Sequence, residues 1–152
     1  MDIAEQMIEM ARKRFENEPK FQFQVSDYAE QLPEGNFDLI ASALSIHHLD
    51  DTQKKNLYSM IYDKLPVNGC FINLDQFNAT SEIMNRHYVK WWHNFINQHI
   101  TDTNEQQQYL KRRELDKEDT IERTIQKLRT IGFKQVDCIY SFMKFGVILA
   151  IK

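Results

Sequence analysis

Over positions 1–18 the apolar residues recur at helical spacing. Ile3, Met7, Ile8, Met10, Ala11 and Phe15 fall on one broad face, which predicts a helix that Pro19 ends. The pattern then changes period. FQFQV (21–25) alternates and predicts a strand, Ser26-Asp27-Tyr28 follows, and LPEGN (32–36) reads as a turn. FDLIASAL (37–44) is nearly continuous in apolar residues, as expected of a strand buried on both faces. Asp50-Asp51-Thr52 offers a cap for a helix over 53–65, where Leu57, Met60, Ile61 and Leu65 share a face. Pro66 and the Asn68-Gly69 turn lead into a further buried strand, CFINLD (70–75).

Residues 76–116 are different, with few strand formers and three histidines. Apolar residues at 84, 88, 91, 92, 95 and 96 predict an amphipathic helix over 81–100 with an aromatic-rich face, and 105–113 predicts a second, more polar one. DTIERTIQKLRTIGF (119–133) predicts a helix that starts near Asp119 or Thr120 and is capped by Gly132. KQVDCIYSF (134–142) and KFGVILAIK (144–152) are so close together that they must form an antiparallel hairpin. The expected fold class is α/β: a mainly parallel sheet with helices on both faces, closed by a C-terminal antiparallel hairpin.

The chain's 152 residues suit a single domain over 1–152, with a helical insert at about 76–116. A net charge of −3 argues against a nucleic-acid partner, because the one basic cluster, Lys111-Arg112-Arg113, is answered by Glu114, Asp116, Glu118 and Asp119 and reads as a solvated helix face. Cys70 and Cys138 lie far apart inside apolar runs and read as buried reduced thiols. No apolar run is long enough to span a membrane, and MDIAEQMIEMARKRF lacks the apolar core of a signal peptide. The expected location is cytoplasmic.

Several stretches in order resemble one family, the class I S-adenosylmethionine-dependent methyltransferases, which have a Rossmann-like fold. MDIAEQMIEMARKRF resembles the segment after the family's strand two. SDYAEQLPEGNFDLIASALSIHHLDD resembles the stretch from the end of strand three to the end of strand four. LYSMIYDKLPVNGCFINLD resembles the next helix and strand five, and LRTIGFKQVDCIY with the final strand resembles the last helix and strand pair. The likeness covers most of the chain outside 76–116. One departure stands out: the four glycines, Gly35, Gly69, Gly132 and Gly146, form no G-x-G, so the family's Gly-rich loop after strand one has no counterpart. The expectation is a partial methyltransferase sheet, a truncated domain that lacks strand one, binds cofactor weakly or not at all, and leaves FDLIASAL as an exposed edge. In the family's strand order, three-two-one-four-five-seven-six, that edge would lie beside strand one. Such an edge predicts self-association, or a rearranged pairing of 21–25 against 37–42.

The resemblance implies S-adenosylmethionine as cofactor and a small-molecule methyl acceptor. It places Asp2 at the ribose hydroxyls and Asp27, with Tyr28, at the adenine amine; an N-cap and an Asx-turn are the structural alternatives. Ile3 would touch the nucleoside, and Ala43 and Leu44 would line the methionine side. His47 and His48 follow the carboxyl end of strand four. His47 is the candidate base, since imidazole suits proton transfer near neutrality, and His48 lines the substrate; alternatively one packs under the loop and the other faces solvent. Tyr88, Trp91 and Trp92 would wall the acceptor pocket, or simply pack on the core or on a second chain. No metal site is expected: His87, His93 and His99 are scattered around their helix, and a site that includes His47 and His48 is the disfavoured alternative. The rival to a methyltransferase is a non-catalytic α/β module that associates through its sheet edge. A protein for another nucleotide is disfavoured by the missing phosphate-cradling loop.

Overall fold

The computed structural model describes residues 1–100 and 102–152; position 101, inside the predicted insert, lies outside them. Among the described residues the order is α1 (Glu5–Arg14), β1 (Leu39–Ala43), a 3-10 turn (Ile46–His48), α2 (Asp51–Lys64), β2 (Cys70–Gln76), α3 (Glu82–His99), α4 (Thr103–Arg113), α5 (Ile121–Ile131), β3 (Gln135–Phe142) and β4 (Phe145–Ile151). The sheet order is β1-β2-β4-β3. β1 and β2 run parallel, and β4 is antiparallel to both of its neighbours. This is the four-five-seven-six part of the order that the resemblance implies, with the expected C-terminal hairpin.

The register shows how the core forms. Ile40, Phe71 and Ala150 are cross-strand partners, as are Ser42, Asn73 and Ile148, so these residues share one face of the sheet. α2 and α5 cover that face with Leu57, Tyr58, Ile61, Leu65 and Leu128, all buried. Burying each such side chain contributes roughly 1.5–3 kcal/mol. Asp50 caps α2 in a reciprocal box with Gln53, and Thr120 caps α5. At Gly132 the backbone needs φ 131°, and a Cβ would lie 3.0 Å from the Tyr62 ring. α3 reaches the opposite face at one end, where Trp91 packs edge-on against Phe142 and Trp92 against Phe145.

Residues before β1 depart from expectation. FQFQV forms no strand; only Val25 pairs, in a parallel bridge to Asp2. The bridge consists of Asp2 N–H to the Gln24 carbonyl (3.1 Å) and Ser26 N–H to the Asp2 carbonyl (3.0 Å). With a single residue as partner, the alternating segment has no ladder to join. Phe21 and Phe23 gather with Phe15 instead. The rearranged pairing of 21–25 against 37–42 is not formed, and the outer edge of β1 pairs with no strand among the described residues. α1 is shorter than predicted. Of its apolar face only Ile8 is buried, while Met7 and Met10 are exposed.

Candidate functional site

Two hollows flank the carboxyl end of β1. The first is a cavity of about 300 Å³ along the open edge of β1, lined by Met1, Asp2, Tyr28, Leu39 to Ala43 and Ser45 among others. The bridge at Asp2 and the turn at 27–30 form its far wall. Asp27 Oδ1 accepts from Ala29 N–H at 2.8 Å, the Asx-turn that its alternative reading anticipated. Asp2, in contrast, is not the N-cap of α1: its Oδ1 accepts from Ala4 N–H at 2.8 Å, and Ala4 is the N-cap, with no side-chain cap bond. Tyr28 is held by Ser45: its hydroxyl lies 2.6 Å from Ser45 Oγ and donates to the Ser45 carbonyl at 3.0 Å. Burial pushes the Tyr28 hydroxyl pKa up, and the Ser45 contact only partly offsets this.

The second hollow, a trough of about 400 Å³, lies at the carboxyl rim of β1 and β2, between the 3-10 turn and α4. At the end of β1, Leu44 takes φ 51°, unusual for a side-chain-bearing residue. The following turn drives His47 inward, leaving it 4% exposed, while the side chain of His48 stays 55% exposed. Buried Asp75, at the end of β2, grips His47 twice. Oδ2 accepts the His47 backbone N–H at 3.0 Å, and Oδ1 lies 2.5 Å from Nδ1. An imidazole that donates at Nδ1 to a carboxylate presents Nε2 as a free lone pair. That Nε2 faces the Gln76 amide nitrogen at 3.3 Å and Asp116 Oδ1 at 3.6 Å. His48 Nδ1 lies 3.1 Å from the same Asp116 oxygen.

A buried network fixes these groups. Arg113 donates to Gln76 Oε1 (3.0 Å), which turns the Gln76 amide N–H groups towards His47, and it pairs with Glu118 at 3.3 Å. Glu118 pairs in turn with fully buried Lys144, which also donates to Asn78 Oδ1 at 3.1 Å. Lys117 N–H donates to the His47 carbonyl at 2.7 Å, and buried Lys54 holds the Lys117 carbonyl and Asp119. Desolvation lowers the pKa of both Lys54 and Lys144, against the opposing pull of Asp119 and Glu118.

The predicted residues therefore divide. Asp2, Tyr28 and Ala43 meet at the edge cavity, and Asp27 stands beside Tyr28 without lining it. Leu44 lines the trough rather than the cavity, and Ile3 is 61% exposed and lines neither. His47, His48 and Trp92 meet at the trough, with Tyr109, Arg112 and Phe145. Trp92 is fixed by its indole N–H donating to the Tyr109 hydroxyl at 2.7 Å. Tyr88 and Trp91 do not line it, because Trp91 is turned to Phe142. Two expectations from charge and composition are corrected: Arg113 is partly buried in the network rather than solvated, and both cysteines are only half-buried. Sequence reasoning missed Asp75, Gln76, Arg113 and Asp116. Asp75 carried a signal, an acid closing a buried strand at the ligand-binding rim; Asp116 carried none.

At the edge cavity the Asp2 carboxylate and the Tyr28 ring suit a nucleoside, with Asp27 beside Tyr28 but outside the lining. The residues that could meet an amino-acid tail are fewer, since only Ala43, Ser45 and the rim backbone stand on that side.

Residues 1–69 match the model of a family described as a methyltransferase domain. No curated protein sequence matches the chain. Several solved structures do. An O-methyltransferase family protein from Burkholderia thailandensis superposes with a TM-score of 0.70 at 12% identity, over 99% of this chain and 42% of that one. Human N-acetylserotonin methyltransferase in complex with SAM gives 0.66 at 17%, over 99% and 39%. An O-methyltransferase family 2 protein from Planctomyces limnophilus in complex with apigenin gives 0.68 at 16%, over 99% and 41%. The chain thus spans about two-fifths of the length of the structures it matches, and its fold is that of the class I methyltransferases.

Proposed function

We propose that this chain, which carries the class I methyltransferase fold, serves S-adenosylmethionine-dependent methyl transfer to a small, planar acceptor. The observation that carries the reading is His47, gripped by Asp75 at the rim between the edge cavity and an aromatic-walled trough. Bound S-adenosylmethionine would supply an electrophilic methyl group on a sulfonium. Asp2 would accept hydrogen bonds from ribose hydroxyls, Asp27 from the adenine amine, and Tyr28 would wall the nucleoside. In the trough Trp92 and Phe145 would hold a planar acceptor and exclude water, with α3 and α4 as its lid. His47 Nε2 would take the acceptor's proton, and Asp75 would stabilise the imidazolium so formed. His48, at the solvent side, would line the acceptor's entry. The separate free thiols accord with the cytoplasm, the location we assign.

The test is calorimetric titration of the folded chain with S-adenosylhomocysteine. Saturable binding that weakens at least about tenfold in Asp27→Ala is expected, one hydrogen bond to a charged group being worth about 1.5 kcal/mol or more. Affinity unchanged from the parent in both Asp27→Ala and Asp2→Ala overturns the assignment of these acids. No binding by folded chain bears out the expected weak affinity of this chain alone and moves the proposed transfer to a longer protein.

The open edge of β1 favours one further role, association with a second chain that adds a strand there, with or without catalysis. Mass in solution at rising concentration tests it: a dimer that Ala41→Pro abolishes supports the role, and a monomer throughout rejects it.

A further inference from the structure

We propose that His47, His48 and Asp116 form a binding site for a zinc-class divalent ion. Their ligating atoms, an imidazole nitrogen from each histidine and a carboxylate oxygen, all lie within 4.8 Å of one another. Asp116 Oδ1 lies 3.1 Å from His48 Nδ1 and 3.6 Å from His47 Nε2. Metal bonds of about 2.1 Å in a tetrahedral arrangement set neighbouring ligands roughly 3.4 Å apart, between those two separations. The donor set of two imidazoles and one carboxylate is the kind that zinc and its borderline neighbours take, rather than magnesium or calcium.

Three features mark a built site. Asp75 holds His47 at Nδ1, the carboxylate–histidine support that metal-bound imidazoles carry, which leaves Nε2 as the acceptor. Nε2 faces Asp116 Oδ1 at 3.6 Å and the Gln76 amide nitrogen at 3.3 Å, a contact that a bound ion would displace. The segment bearing Asp116 is pinned to the histidine turn by Lys117 N–H on the His47 carbonyl, and Asp116 N–H donates to the Arg113 carbonyl at 3.1 Å. The Asp116 side chain is only 6% exposed, yet among the described residues no lysine or arginine pairs with it; its partners are the two histidines. A nearly buried carboxylate without a fixed cation is costly, and a divalent ion would neutralise it. The cluster opens onto the trough, so a fourth position is left to water or to an oxygen or nitrogen of a small molecule.

The ion and a proton compete for the same Nε2 lone pair. Bound zinc would therefore occupy the atom assigned above as the base. This consequence alone rests on the proposed methyl transfer; the binding itself does not.

Cobalt(II) titration of the full chain, read by its visible ligand-field absorption, tests the site. Saturable bands of a low-coordinate ion, displaced by zinc, are expected. His48→Ala should weaken binding at least tenfold and Asp75→Asn about tenfold, the usual loss on removing a supporting partner. His48 is half-exposed, so its removal leaves the fold intact, which thermal melting of the metal-free variant verifies. His93→Ala, on the exposed side of α3, should bind as the parent does. Absent or non-saturable bands, or equal affinity in His48→Ala, would mean that Asp116 and His48 share only a proton, and the proposal fails.

Discussion

The carboxyl rim of β1 and β2 and the outer edge of β1 are adjacent, and they are built in opposite ways. At the rim, most buried polar groups are answered in pairs: Asp75 by His47, Gln76 by Arg113, Glu118 by Lys144, Asp119 by Lys54 and Lys127; Asp116, with only the two histidines beside it among the described residues, is the exception. Along the edge, apolar Leu39 lies exposed and the neighbouring segment is tied by the Asp2–Val25 bridge and the Tyr28–Ser45 contact. The rim is preorganised by its own network, so its geometry can direct a proton or an ion. The edge offers a floor and a wall for a nucleoside with little to hold the wall in place. Chemistry placed at the rim thus depends on electrostatics, and binding at the edge depends on how firmly residues 1–36 stay docked.

The sharpest way to break this contrast is to unpair the rim. Glu118→Gln leaves Lys144 buried without its anion and should cost about 3 kcal/mol in chemical denaturation. The same pair predicts a pH dependence. Burial lowers the folded-state pKa of Lys54 and Lys144, so between those folded values and the ordinary lysine value the unfolded chain binds more protons. Stability contributed by these groups must therefore rise with pH across that alkaline window, and Glu118→Gln should steepen the rise. A flat profile in both proteins would mean that the network is not as desolvated as its burial indicates.

Asp75→Asn is the next largest. It keeps a side chain that can accept from the His47 backbone but removes the charge at Nδ1, so a loss of about 2 kcal/mol is expected together with the weakened cobalt binding. A stable variant with unchanged cobalt affinity would show that the trough, not the carboxylate, sets the histidine's orientation.

The two regions also differ in how far they could be read from the sequence. β1, β2 and the hairpin were legible because each is a compact apolar run with turn residues at its ends, and α5 because its apolar stripe, cap residue and closing glycine agree. The strand expected at 21–25 was not, because alternation specifies a face and not a partner; only Asp2 stands beside it. The helix at the start of the chain does form as α1, but its apolar face lacks a partner in the same way, Met7 and Met10 facing solvent. At the rim, His47 was legible by its place after an apolar strand, although that strand, expected to be buried on both faces, is half-exposed at the open edge of the sheet. Asp116 was not, since it comes from a polar stretch nearly seventy positions on, and only the fold brings it to the histidines. Charge patterning misled at Arg113, which the acids around it suggested was solvated.

At the edge, Tyr28→Phe should cost about 1 kcal/mol, the worth of a half-buried hydroxyl between Ser45 Oγ and its carbonyl. If the tyrosine also anchors the nucleoside wall, S-adenosylhomocysteine affinity should fall while cobalt affinity at the rim stays unchanged. Loss of both would mean that the two hollows are one coupled site.

The smallest effect is expected where the rim network reaches solvent. Asp51, at the start of α2, pairs with Lys55 at 2.7 Å and with Lys127 at 2.6 Å, and Lys127 also holds buried Asp119. Hydrogen bonds from Lys127 and Lys55 hold the Asp51 carboxyl well below the ordinary carboxylate range. A depressed folded value makes its contribution present above the ordinary carboxylate range and lost as pH falls towards the folded value. The Asp51 side chain is about half-exposed, at 47%, so that contribution is screened. Asp51→Asn should therefore lower the melting temperature slightly at low salt and not measurably at high salt, with Lys127 still satisfied by Asp119. A large, salt-independent loss would show that the buried network extends through Asp51 to the surface, and that the rim's rigidity is set from outside the sheet as well as beneath it.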